Sequence, residues 1–102
     1  MWFNTLEVPP LPNLLKELQI KGLDLVLTNV KGQIYCFENR YPHEEMKLSQ
    51  GCIKDKKIKC VLHNYSFNLN TGLCSEGEFE ALKIFQVKEE SGLILVKLED
   101  LK

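Results

Sequence analysis

Long apolar runs are missing from this sequence: no stretch approaches the ~20 consecutive apolar residues that a membrane span needs, which excludes a membrane helix. A basic block is missing as well. Thirteen basic and fourteen acidic residues are interspersed and leave a net charge of −1, so nucleic-acid binding has no electrostatic footprint. The opening Met1-Trp2-Phe3-Asn4-Thr5-Leu6-Glu7 lacks a basic segment leading into an apolar run and a small-residue cleavage site. It does not read as a secretory signal, and a cytoplasmic protein is expected. Histidine is scarce, with only His43 and His63. The four cysteines, Cys36, Cys52, Cys60 and Cys74, are spaced by sixteen, eight and fourteen positions and match no zinc-finger framework. Two disulfides would suit a secreted chain, but a cytoplasmic setting favours free thiols or metal ligands.

The 102 residues, 44% of them hydrophobic, suffice for one core and leave no room for a second. One domain over residues 1–102 is therefore expected. A chain of this length buries ~65% of its extended surface, so a metal, partner or subunit would add usefully to its stability.

What is present is patterned mainly for β structure. Val8-Pro9-Pro10-Leu11-Pro12 contains three prolines, which remove donors and fix φ, and an extended lead-in is expected there. Asn13 then reads as the cap of a short helix reaching Leu18 or Ile20. Leu14, Leu15 and Leu18 lie on its core-packing face, and Gly22 ends it. Residues 23–30 and 33–37 flank Lys31-Gly32 as a hairpin, and further strands are expected at 57–61, 66–69, 81–88 and 93–98. The expected fold is an all-β antiparallel sandwich or barrel with one short N-terminal helix. Two intervals, 38–51 and 63–80, exceed ordinary hairpin turns, and long ordered loops in a small domain often carry function.

Both histidines fall at these intervals in tight local patterns: Tyr41-x-His43, then sixteen residues, then Cys60-x-x-His63. Leu48-Ser49-x-Gly51 follows the first pattern, Phe67, Thr71 and Gly72 follow the second, and Tyr35-Cys36-Phe37-Glu38-Asn39 leads in. Over residues 22–98 this arrangement resembles the Rieske domain, whose ligand pattern is Cys-x-His followed by Cys-x-x-His. Three of the four ligand positions match, and Tyr41 stands where the first cysteine would be.

The resemblance implies a small cluster-binding subdomain built from loops at about residues 39–51 and 60–72, holding a [2Fe–2S] cluster. His43 and His63 would hold one iron and Cys60 would supply a thiolate to the other. Two histidines in place of two cysteines raise the potential of such a cluster to roughly −150 to +300 mV. Tyr41 is a different donor: its phenol has an unperturbed pKa of ~10, and it would form a hard Fe–O bond through a longer side chain. Cys36 and Cys52 are more often small core residues than replacement ligands. Met46 and Leu62 occupy the positions where respiratory and photosynthetic Rieske proteins carry a loop-to-loop disulfide. The resemblance is thus to the soluble ferredoxin type.

Two functional classes remain open on the sequence. One is a non-catalytic one-electron carrier between a reductase and a terminal oxygenase-like component, with Pro42, Met46 and Leu62 around the histidine edge. The other is a cluster-free interaction module, similar to the small subunit of assimilatory nitrite reductases, with Tyr41 filling the cluster position. A mononuclear site of two histidines, one thiolate and water is a third, weaker possibility, without an evident substrate pocket or general base. Glu44 and Glu45 read as a solvated turn. Lys54-Asp55-Lys56-Lys57 reads equally as a charged turn or as a docking patch for an acidic partner.

Overall fold

The computed structural model describes residues 2–39, 51–54, 56–59, 66–73 and 82–98. Ten strands lie among them: β1 (Trp2–Asn4), β2 (Lys16–Ile20), β3 (Leu23–Val30), β4 (Gln33–Glu38), β5 (Cys52–Lys54), β6 (Lys57–Lys59), β7 (Ser66–Asn68), β8 (Ile84–Phe85), β9 (Val87–Glu90) and β10 (Leu93–Lys97). They form a central sheet β2-β3-β4-β8, an outer sheet β1-β10-β9 and a small sheet β5-β6-β7, with every strand pair antiparallel.

Three hairpins close through the same device. Lys21-Gly22, Lys31-Gly32 and Ser91-Gly92 each place two successive residues at positive φ, between +50° and +88°. Each dipeptide bridges a register pair, Ile20↔Leu23, Val30↔Gln33 and Glu90↔Leu93. Two positive φ values match the right-handed twist of the flanking strands, and glycine at the second position carries the strained conformation.

The expected helix after Asn13 is not formed. Asn13 has φ +62°, a left-handed conformation that asparagine tolerates, and Leu14 N–H donates to the Leu11 carbonyl in a turn. Asn29 holds the preceding arm, its Nδ2 donating to the Pro10 carbonyl and its own carbonyl accepting from Asn13 N–H. The chain then enters β2 and pairs with β3 from Lys16↔Leu27 to Ile20↔Leu23. Gly22 belongs to that hairpin, so long-range pairing has overridden a weak local helical pattern. Leu14 is exposed, while Leu15 and Leu18 pack against different apolar clusters, so the three leucines share no helical face. The expected strand 81–88 is likewise divided. Ile84–Phe85 pairs with β4, Val87–Glu90 pairs with β10, and the Gln86 carbonyl between them accepts from Lys97 N–H.

Alternation places the two faces of the central sheet in two cores. Val26, Val30, Tyr35 and Phe37 face Ile58 and Phe67 of the small sheet, together with Leu69 and Leu82. Leu25, Leu27, Cys36 and Phe85 face Ile94, Val96 and Leu98 of the outer sheet side. Phe37, Phe67, Leu25 and Ile94 have no exposed surface, and full burial of each such side chain contributes about 1.5–3 kcal/mol. The result is three layers with the central sheet covered on both sides. Among the described residues no helix is long and apolar enough to cross a membrane.

Candidate metal centre

Tyr41, His43, Cys60 and His63 lie outside the described residues, as do Pro42, Glu44, Glu45, Met46, Leu62 and Cys74. What the structure describes is the frame that receives their segments. Cys52 pairs with Lys59, and Lys59 pairs with Ser66, so these three residues form one row across the small sheet. The segment before β5 therefore enters, and residues 60–65 leave and return, at the same end of that sheet. Both histidine-bearing segments are thus joined to one edge of one sheet.

That edge is held from below by apolar packing. Ile53, Ile58 and Phe67 alternate inward, with Ile58 and Phe67 fully buried against the central sheet and Ile53 partly buried beside them. At the other end of the small sheet, Leu69 N–H donates to the Lys56 carbonyl at 3.0 Å. Asn68 Oδ1 accepts from the N–H groups of Asn70 and Thr71, and Asn68 O accepts from Gly72 N–H at 2.7 Å. This builds a tight turn in which the asparagine side chain mimics a backbone acceptor.

Gly72 performs a second task that the sequence pattern alone does not explain. Its φ is +79°, its carbonyl accepts from Leu82 N–H at 2.7 Å, and a Cβ there would run into the Leu82 carbonyl oxygen. The glycine thus allows the backbone at residue 72 to meet that at residue 82. Asn39, where the first histidine-bearing segment begins, is also fixed. Its N–H donates to the Asp24 carbonyl at 2.8 Å, its Nδ2 to Glu17 Oε2 at 2.9 Å, and the adjacent Glu38 N–H to the Lys83 carbonyl. Sequence reasoning missed Asn39 as an anchor, because its partners Asp24 and Glu17 lie far away along the chain.

The described cysteines separate cleanly. Cys36 is fully buried at the centre of β4, opposite Leu27 and Phe85, on the face turned away from the small sheet. Burial pushes its thiol from 9.0 up to about 12, so it is a neutral packing group and not a replacement thiolate for a centre on the opposite side. Cys52 is exposed on the outer face of the small sheet, in the row with Lys59 and Ser66. Among the described residues no three His, Cys, Asp or Glu side chains form a metal-sized group. A groove of about 500 Å³ runs between β4 and β9, with Ile34, Tyr35, Phe85 and Val87 in its walls and Gln33 and Gln86 at its margins. None of these side chains is an Asp, Glu, His, Cys or Lys.

Comparison with known proteins gives this frame a family. The chain is 30% identical over 84 residues to the ferredoxin component of the naphthalene 1,2-dioxygenase/salicylate 5-hydroxylase systems of Ralstonia sp., with 80% of each chain covered. Its fold superposes on a chain from the complex of reduced oxygenase and oxidised ferredoxin in carbazole 1,9a-dioxygenase with a TM-score of 0.78. That match covers 86% of this chain and 92% of the other at 24% identity. A protein assigned as the small subunit of an NADPH nitrite reductase superposes almost as closely, with a TM-score of 0.77 at 20% identity, covering 86% and 89% of the two chains. At these identities the structural likenesses establish the fold. Residues 2–86 match the model of the Rieske [2Fe–2S] domain, and the chain is a member of that family.

Proposed function

We propose that this chain is a small cytoplasmic one-electron carrier of the Rieske type, one domain over residues 1–102, serving a reductase and an oxygenase-like partner. The observation that carries the reading is the row Cys52↔Lys59↔Ser66. Cys52 follows the segment that carries Tyr41-x-His43, and Lys59 and Ser66 flank the segment that carries Cys60-x-x-His63, which supports the reading. The relative from Ralstonia is itself the ferredoxin component of an oxygenase system.

The donor chemistry fits a [2Fe–2S] group at three positions. His43 and His63 would hold one iron through neutral imidazoles and Cys60 would supply a thiolate to the other, with Tyr41 at the position of the family's remaining thiolate. When bound, the group supplies reversible one-electron chemistry at a potential raised by the imidazoles. The chain's own contribution is positional. Asn39 fixes the start of the first segment through Asp24 and Glu17, while buried Ile58 and Phe67 fix the strands that flank the second. Tyr41 must present a deprotonated phenol to act as a donor, which close approach to a cationic metal promotes.

Iron and acid-labile sulfide analysis of protein from iron-replete cells tests the reading, together with the EPR spectrum of the reduced sample. Near-stoichiometric iron and sulfide with a Rieske-like signal are expected. Colourless protein free of both would sink the carrier and leave the cluster-free interaction module, the reading that Tyr41 in place of a cysteine favours. Tyr41→Cys is expected to strengthen cluster binding, read after anaerobic reconstitution as slower loss of iron and sulfide to a chelator. No gain would refute the placement of Tyr41 as the fourth donor. Cys52→Ala in the parent background tests the exposed thiol, and unchanged iron content is the expected outcome.

A further inference from the structure

Side-chain alternation across the small sheet sorts its residues into two sets. Ile53, Ile58 and Phe67 turn inward to the core. Register pairs place Lys54 opposite Lys57, and Lys59 opposite Cys52, on the outer face. Ser66 and Asn68 of β7 complete that face and carry no charge. Lys54, Lys57 and exposed Lys56 at the hairpin turn add to Lys59, so four lysines gather on one short hairpin. None of the four makes an ion pair among the described residues, whereas Lys16 pairs with Glu7 and Lys88 with Glu90.

This concentration runs against the rest of the molecule. The whole chain has a net charge of −1, yet every charged side chain described on the outer face of the small sheet is positive. Like charges directly opposite each other in an antiparallel pair destabilise the sheet, so Lys54↔Lys57 works against folding. A glutamate at either position would relieve the repulsion. The arrangement makes sense where the positive field has a use outside the fold, because such a field steers an oppositely charged surface into register and speeds encounter.

We propose that the outer face of β5-β6-β7, through Lys54, Lys56, Lys57 and Lys59, docks an acidic protein surface beside the end of the sheet that the two histidine-bearing segments join. Identifying that protein as a redox partner rests on the carrier reading, but the charged face itself does not. Lys59 stands in the row from which residues 60–65 depart, and Lys54 and Lys57 lie two residues further from it along their strands. At about 3.4 Å per residue Lys54 and Lys57 lie about 7 Å from that end, within one Debye length at ordinary salt. A partner held on the face would be electrostatically aligned with the candidate centre.

The test uses the full chain as purified, labelled with 15N and titrated separately with an oligoglutamate peptide, duplex DNA and vesicles of equimolar phosphatidylserine and phosphatidylcholine. The peptide is expected to shift the amide resonances of residues 52–59 and 66–68 before those near Lys16, Lys21, Lys83 or Lys88, and high salt is expected to abolish the shifts. Lys57→Glu should weaken peptide binding ~tenfold while raising the melting temperature, a pairing of effects that a purely structural lysine would not produce. Lys54→Gln serves as a second variant, with weaker binding and a preserved amide spectrum. Shifts spread evenly over all lysines, tighter binding of DNA or vesicles at equal salt, or unchanged affinity in Lys57→Glu would each overturn the proposal. Iron analysis of the same sample decides the carrier reading separately, because the titration needs no cluster.

Discussion

Gly72 shows how one missing methyl group can determine a junction. With φ at +79° and the Leu82 carbonyl where a Cβ would lie, Gly72→Ala must strain the backbone and displace Leu82 from the core shared with Phe37 and Phe67. A loss of about 2–4 kcal/mol is expected, measured as a lower urea midpoint with the slope unchanged. Cys36 makes a different prediction. Its thiol is pushed up to about 12 by burial, so folding favours the protonated form, and that stabilisation is complete below the ordinary value of 9.0. As pH rises from 9 toward 12 the unfolded chain ionises first and the stabilisation is lost, at a limit of about 1.4 kcal/mol per pH unit. Urea midpoints of the parent and of Cys36→Ala should therefore converge as pH rises. A constant gap between them would disprove the assignment.

Among the elements, the paired positive-φ turns are the most open to improvement. Lysine at the first turn position is strained in a way that asparagine is not, so Lys31→Asn, giving an Asn-Gly turn between Val30 and Gln33, should stabilise the β3–β4 hairpin by about 0.5–1 kcal/mol in thermal unfolding. Gly32 N–H already donates to Asn29 Oδ1 at 2.9 Å, and that bond should survive. These turns also explain what the sequence made legible. Lys31-Gly32 between apolar runs marked β3 and β4 almost to the residue, and residues 93–98 nearly matched β10, because a long apolar alternation and its turn agree. The strand at Lys16–Ile20 was missed because Leu14, Leu15 and Leu18 also fit a helical face, and only pairing with β3 breaks the tie. Trp2–Asn4 and Cys52–Lys54 are too short for any periodicity, and their strand character comes from partners at residues 95–97 and 57–59. The metal-centre motif was legible as a spacing. The frame behind it, Asn39 and the Gly72–Leu82 contact, was not, because each depends on contacts distant in sequence.

At the scale of the whole molecule, the three layers differ in how much holds them. β3 has hydrogen-bonded neighbours on both edges and apolar layers on both faces, whereas the small sheet consists of three-residue strands attached through Ile53, Ile58 and Phe67. Native-state hydrogen exchange should therefore give Leu25, Val26 and Leu27 protection approaching the global unfolding free energy, and the amides of β5 to β7 markedly less. Equal protection across the layers would argue against this hierarchy. The small sheet, with the segments it anchors, becomes a unit that can come away from the core while the other two sheets remain native. Loading and loss of a metal group at that end would then follow sub-global opening, so that Phe67→Leu should shorten the lifetime of a bound cluster far more than an equally destabilising change at Ile94.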